Sequence, residues 1–353
     1  MKSNKILALI AGAAILFGIA CSGIIIVQGI QNGEFPISPT AKENPYPKAW
    51  KLEKTKLEEF SDISVNLSYC DFSILPADGY YLEYRMDGVC EEPAYDVSDD
   101  SFRFQEGHTQ AKYRSGFHFF FNPANFSSAN QGPYYMNLYI PADQYFGLLN
   151  ISCDSGNIEI NGLQAETAEI SADYGDLNMD SFSGKTLSVS TNSGNMTLGT
   201  IACEDLDISN EYGDITADSF QVEENTSVKL NSGSLTLSKL ESGQLTLSNE
   251  YGDCIIDKIT VKNSDISMDS GALKLRQATL GDTNITNEYG DTILNLANDV
   301  SDYNYDLNAE YGSVKLDGKE IETGDDGEVY YQKDNGKNQN IRIFCNSGRI
   351  EIR

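Results

Sequence analysis

Ten glycine-centred motifs recur along the C-terminal two thirds of the chain at a nearly constant step, and they alternate in kind. Ser-Gly stands at Gly156, Gly194, Gly233 and Gly271, and Tyr-Gly at Gly175, Gly213, Gly252 and Gly290. Between Gly156 and Gly290 the step is 19 residues, once 20; Tyr-Gly returns at Gly312 and Ser-Gly at Gly348. Self-similarity at this period marks a solenoid, whose units bury their apolar faces only by stacking on one another.

Alignment on the glycine resolves the pattern into columns. Five residues before it stand Ile151, Ile170, Val189, Ile208 and their successors to Ile343; two after it stand Ile158, Leu177, Met196 and Ile215; four after it stand Ile160, Met179, Leu198 and Ala217. Ser, Thr, Asp, Asn and Lys fill the positions between. Such period-two alternation predicts strands with one buried and one wet face, turning at the glycine. The expected class is all-β: a parallel β-solenoid, or β-helix, of ~19-residue steps over residues 150–353, preceded by an N-terminal transmembrane helix.

Whether one coil takes 19 or 38 residues is open at this level. Three residues before the glycine, Tyr-type units carry Asn210, Asn249 and Asn287, where Ser-type units carry Thr191, Leu230 and Met268. Buried amides need partners, and an Asn-on-Asn ladder favours 38. The turn carboxylates argue for 19, because a 38-residue coil would set like charges about 4.8 Å apart. The balance leans to 38.

Ile6 to Val27 is an uncharged, mostly apolar run, preceded by Lys2 and Lys5 and followed by Glu34 as the first charge. It is long enough to span a bilayer and exceeds a signal-peptide core of about 7–15 residues. Ala20-Cys21 suggests a lipidation site, yet Gly18 replaces the usual aliphatic residue and Ile24 to Val27 continue the run. The expectation is an uncleaved signal-anchor: a single-pass cell-membrane protein with residues 1–30 as stub and span, and the C-terminal ectodomain outside the cytoplasm. Residues 31–57, with Pro36, Pro39, Pro45 and Pro47, read as a Pro-rich linker.

Residues 58–149 are strand-rich without repeating, and are expected to form the N-terminal cap of the solenoid. Ile140-Pro141 closes the last of these strands; Leu149-Asn150-Ile151-Ser152 then leads into Ser155-Gly156-Asn157-Ile158-Glu159-Ile160, and Tyr-Gly-Asp units follow. This pattern resembles the adhesin family of bacterial β-strand-repeat proteins, whose function is unknown and which are similar to adhesin-head domains. The resemblance covers about residues 58–353. It implies surface adhesion, and some relatives are associated with envelope-stress signalling in Gram-positive bacteria. It brings no set of functional residues.

A net charge of −28 argues against nucleic acid as a partner. The only histidines are His108 and His118, and no nucleophile–base grouping or phosphate loop can be assembled, so no catalytic residue is assigned. Cys70 and Cys90 could pair outside the cell or remain thiols; Cys153 and Cys345 fall in an inward column. The Tyr-type turns concentrate aromatic and acidic groups. Tyr174, Tyr212, Tyr251 and Tyr289 are candidates for a ligand edge, and Glu211, Asp214, Glu250, Asp253, Glu288 and Asp291 are candidate Ca²⁺ ligands. Apart from this possible Ca²⁺, no cofactor is expected. The expected role is a membrane-anchored adhesin or surface scaffold that binds a cell-surface glycan or protein without catalysis. The alternatives are an accessory of envelope-stress signalling and a polysaccharide-active β-helix enzyme.

Overall fold

Residues 196–212 show how one coil is built. Met196, Leu198, Ile201, Cys203, Leu206, Ile208 and Asn210 are buried, and the residues between them are not. Alternation slips where two adjacent residues both avoid the core, at Gly199-Thr200 and Glu204-Asp205, and again through the turn at Glu211 to Asp214. Those slips are corners, so each coil has three short sides around one apolar interior. Burying each larger aliphatic side chain is worth roughly 1.5–3 kcal/mol, set against the entropy of ordering the coil.

The computed structural model describes residues 48–108, 133–324 and 327–353. The entry region holds β1 (Trp50–Lys56), β2 (Asp62–Leu67), β3 (Asp71–Ala77), β4 (Tyr81–Met86), β5 (Ala94–Ser98), β6 (Ser101–Gln105) and β7 (Tyr135–Pro141). The repeats follow as β8 (Tyr145–Ser155), β9 (Ile158–Ile160), β10 (Leu163–Tyr174), β11 (Leu177–Ser193), β12 (Met196–Tyr212), β13 (Ile215–Ser232), β14 (Leu235–Tyr251), β15 (Cys254–Ser270), β16 (Leu273–Tyr289) and β17 (Thr292–Leu296). A 3-10 turn, Val300–Asp302, precedes β18 (Tyr303–Leu316), β19 (Lys319–Glu320), β20 (Val329–Lys333) and β21 (Gln339–Ile352).

Successive repeats pair in parallel, with Ile170 beside Val189 and Leu177 beside Met196, an offset of 19 residues. One coil therefore takes 19 residues, and the leaning toward 38 is corrected. Asn210 lies between Thr191 and Leu230, not beside another Asn. Its amide is served by backbone instead: Asn210 Nδ2 donates to the Gly194 carbonyl at 3.0 Å, and Asn249 Nδ2 to the Gly233 carbonyl at 3.0 Å. The single 20-residue step shows as a register shift in β13 between Val222 and Asn225, so the extra residue sits at a corner and the core register survives.

Both ends of the stack break sequence order. β2 pairs in parallel with β8 on one side and β6 on the other, while β3 lies between β9 and β7. At the far end β21 pairs in parallel with β16 and β17 on one side and β18 on the other. The last coil in sequence is thus the penultimate coil in space. Antiparallel strands finish the edges: β4 and β1 beyond β7, β5 beyond β6, and β20 beyond β18. β1 carries Lys51, Lys54 and Lys56, the kind of charge that discourages edge-to-edge pairing.

Two expectations about the N-terminal region change. Trp50–Lys56, inside the stretch read as linker, is a strand antiparallel to β4, and Trp50 Nε1 donates to the Cys90 carbonyl at 3.1 Å. The single-pass membrane assignment is also corrected. Among the described residues no helix is long and apolar enough to cross a membrane, and the backbone is strands whose apolar positions alternate. The run from Ile6 to Val27, Cys21, and His118 lie outside the described residues.

The turn glycines are required by close approach. Gly252 has φ +134°, and a Cβ there would lie 2.1 Å from the Gly233 carbonyl oxygen of the preceding coil. Gly252→Ala should therefore lower the unfolding free energy by about 2 kcal/mol or more. Gly318 has φ +74°, and a Cβ added there would meet nothing within 4 Å. It should accept Asn at a cost below about 1 kcal/mol. Denaturant titration of the two variants checks both values.

Candidate functional site: the tyrosine edge

The residue before each turn glycine faces solvent, and strand pairing sets the order of these residues in space. Ser155 adjoins Tyr174, which adjoins Ser193. Tyr212, Ser232, Tyr251, Ser270 and Tyr289 follow on successive rungs. Here chain order and spatial order part. Tyr289 is followed in space by Ser347 and then Tyr311, because β21 enters between them. The alternation that stops in the sequence at Tyr289 continues in the fold to Tyr311. The rings are exposed, from 55% for Tyr212 to 76% for Tyr311. Tyrosines recur on every second rung, about 9.6 Å apart.

The four predicted tyrosines share this edge, and Tyr311 is a fifth that the candidate set lacked. Its Tyr-Gly motif is visible in the sequence, but the 22-residue step from Gly290 hides its rung. Only the insertion of β21 places it.

Where an Asp or Asn follows the turn glycine, it has a structural task. Asp176 N donates to Asn157 Oδ1 at 3.0 Å, Asn195 N to Asp176 Oδ1 at 2.8 Å, and Asp214 N to Asn195 Oδ1 at 3.0 Å. Ser234 N, Ala272 N and Arg349 N likewise donate to Asp214, Asp253 and Asp291. Each side-chain oxygen caps the turn of the next coil. The remaining oxygens of two of these acids face cations: Asp253 Oδ2 is 3.8 Å from Lys274 Nζ, and Asp291 Oδ2 is 3.2 Å from Arg349 Nη2.

The candidate Ca²⁺ set is thereby divided. Asp214, Asp253 and Asp291 each commit one oxygen to a backbone N–H. Glu211, Glu250 and Glu288 lie beside the tyrosines, on rungs two strand spacings apart. No group of three or more ligating side chains able to hold a metal ion occurs among the described residues.

The buried polar and sulfur groups are also structural. Glu106 is 2% exposed and accepts from Ser68 N at 2.6 Å and Tyr69 N at 3.0 Å, so two backbone donors hold its carboxylate. Nothing in the sequence pattern singles it out. Cys70 and Cys90 stand as buried thiols, not as a disulfide. Burial, and then the Glu106 charge, raise the Cys70 pKa. Burial pushes Cys153 and Cys203 up to about 12, and Cys254 and Cys345 to about 11. Thiolates are the reactive form, so burial at these positions disfavours thiol chemistry at neutral pH. That applies to Cys203 even though it lines an open groove of about 520 Å³ beside Glu204, Glu223 and Glu241.

The capping role of the turn acids predicts how they respond to substitution. Asp253→Asn keeps an acceptor for Ala272 N, as Asn157 and Asn195 do on their own rungs, and should leave stability nearly unchanged. Asp253→Ala removes the acceptor and should cost about 1 kcal/mol. Thermal melts of the parent chain with Ca²⁺ and with chelator should coincide; a calcium-dependent rise would show that the turn acids bind the ion.

The model of the Toastrack DUF4097 family matches residues 60–224 and again 183–353. Among solved structures, the chain is similar to a candidate adhesin from Parabacteroides distasonis, at 13% identity over 86% of this chain and 97% of that one, with a TM-score of 0.42. A candidate adhesin from Parabacteroides merdae is 12% identical over 69% and 90% of the two chains, also with a TM-score of 0.42. A candidate lipid-binding protein from Parabacteroides distasonis is 13% identical over 88% and 98%, with a TM-score of 0.38. No curated protein matches the chain. The family resemblance read from the turn motifs holds, and the chain belongs to the Toastrack DUF4097 family.

Proposed function

We propose that this chain is a non-catalytic binding protein of the adhesin type, which docks a cell-surface glycan or protein along its tyrosine edge. One observation carries the reading: the Ser/Tyr alternation is kept in space where the sequence order breaks. Repeat duplication alone would keep alternation between neighbours in sequence. Tyr289 and Tyr311 instead come from consecutive Tyr-type motifs, and Ser347 is inserted between them from the C-terminus. A core-packing requirement does not explain this order, because these rings are more than half exposed. Exposed aromatics with polar tips supply contact area at low conformational cost.

The acids of this edge fit binding better than polysaccharide cleavage. Hydrolysis needs an acid and a base held in different environments. Here the turn carboxylates recur coil after coil, and the Asp members are tied to the next turn.

Replacing Tyr174, Tyr212, Tyr251 and Tyr289 together with Ser makes these four tyrosine rungs like the Ser rungs, so the coil geometry should be retained. The variant should melt within a few degrees of the parent and lose retention on cell-wall preparations or whole cells that hold the parent chain. Equal retention of parent and variant would remove the edge as the docking face.

A further inference from the structure

We infer that the tyrosine edge takes an extended β-1,4-linked glycan that is neutral or carries free amines, with one disaccharide to every two coils. This rests on the tyrosine edge being the docking face, and adds the ligand class.

The period is the first argument. Strand stacking spaces the rings of Tyr212, Tyr251 and Tyr289 about 9.6 Å apart along a line. In an extended β-1,4-linked chain each sugar is flipped relative to the last. The same face therefore recurs at every second sugar, with a rise close to two strand spacings. A ring on every second rung meets that face each time. The Ser rungs between, Ser232 and Ser270, leave room for the flipped sugar and offer hydroxyls to it. An α-1,4-linked glycan curls and leaves this line after one or two contacts.

Charge is the second argument. The chain carries −28 overall, and Glu211, Glu250 and Glu288 directly precede the tyrosines. Carboxylates accept hydrogen bonds from sugar hydroxyls and attract ammonium groups, whereas a polyanionic glycan would be repelled. From Tyr174 to Tyr311 the ladder spans eight strand spacings, about 38 Å, enough for about eight sugars in register.

A proline-rich peptide is the competing macromolecule, because one turn of polyproline II rises about 9.3 Å. Such peptides dock in grooves between close aromatic neighbours. The open Ser rungs between these rings favour the flat face of a sugar.

Calorimetric titration of the full chain decides the matter, using cello-oligosaccharides and chito-oligosaccharides of two to ten sugars, de-N-acetylated chitohexaose, maltohexaose and a Lys-containing proline-rich peptide. The expected result is affinity that rises as sugars are added in pairs and levels off near eight. De-N-acetylated chitohexaose should bind at least as tightly as chitohexaose and weaken with salt. Tyr212→Ser with Tyr251→Ser should weaken hexasaccharide binding by at least about tenfold. Ser232→Tyr adds a ring but breaks the period, and should weaken binding rather than strengthen it.

Four results would overturn the inference: no binding by either β-1,4 series, equal binding of maltohexaose, tighter binding of the proline-rich peptide, or a gain on Ser232→Tyr. If the β-1,4 series fail while the tyrosine substitutions still abolish retention on cell wall, the ligand class is wrong and the docking edge stands. If retention is also unaffected, both readings fall.

Discussion

The approach of one turn to the next is the constraint on which this fold depends. At Gly252 the place a Cβ would occupy is 2.1 Å from the Gly233 carbonyl, and Gly213, Gly271 and Gly290 repeat the arrangement. Only residues without a side chain can stack in this column. Gly252 N in turn donates to the Ser270 carbonyl at 2.9 Å, continuing the strand ladder through the corner. Coils whose turns are fixed at this distance have no freedom to slip, because a one-residue slip would turn the apolar columns outward. The extra residue of the 20-residue step lies at a different corner, between Val222 and Asn225. The glycine column and the apolar columns together set the register.

Two further interactions tie the same turn to its neighbours. From inside, the Asn210, Asn249 and Asn287 amides donate to carbonyls of the preceding turn glycines. Their Oδ1 atoms have no hydrogen-bond partner among the protein groups. From outside, Asp and Asn oxygens cap the N–H of the next coil. The turn is thus held on both sides, and the Tyr side chains beside it stand more than half exposed. A rigid turn with a spare aromatic is a suitable place for recognition, since little order remains to be imposed on binding.

The repetitive part of the fold is legible in the sequence because it depends on neighbours in sequence. Ile170, Val189 and Ile208 occupy one column in the alignment and adjacent rungs in the structure. The coil length is harder to read, for a definite reason. Asn-on-Asn stacking is one way to satisfy Asn210 and Asn249, but a 19-residue coil brings a backbone carbonyl within reach of each amide. A 19-residue coil separates only some of the turn charges: Glu211 is flanked by rungs that carry Asn192 and Asn231, whereas Glu250 and Glu288 lie on either side of Asp269. What stays illegible involves strands distant in sequence. Nothing in Gln339 to Ile352 says that this segment enters between Tyr289 and Tyr311, because its apolar columns would fit any coil equally well.

That interchangeability explains why the ends are built as they are. A solenoid coil presents the same backbone pattern on both faces, so a terminal coil in sequence order could fray or recruit another chain. Here the C-terminal coil is held by a parallel partner on each side, and so is the first coil, β2 with β3. The chain exposes short antiparallel strands instead, β1 and β5 at one end and β20 at the other. Placing Tyr311 beyond Ser347 therefore follows from the same arrangement that closes the stack. The insertion that protects the open edge also extends the tyrosine ladder by one full period, so closure of the stack and length of the ladder share a single structural cause.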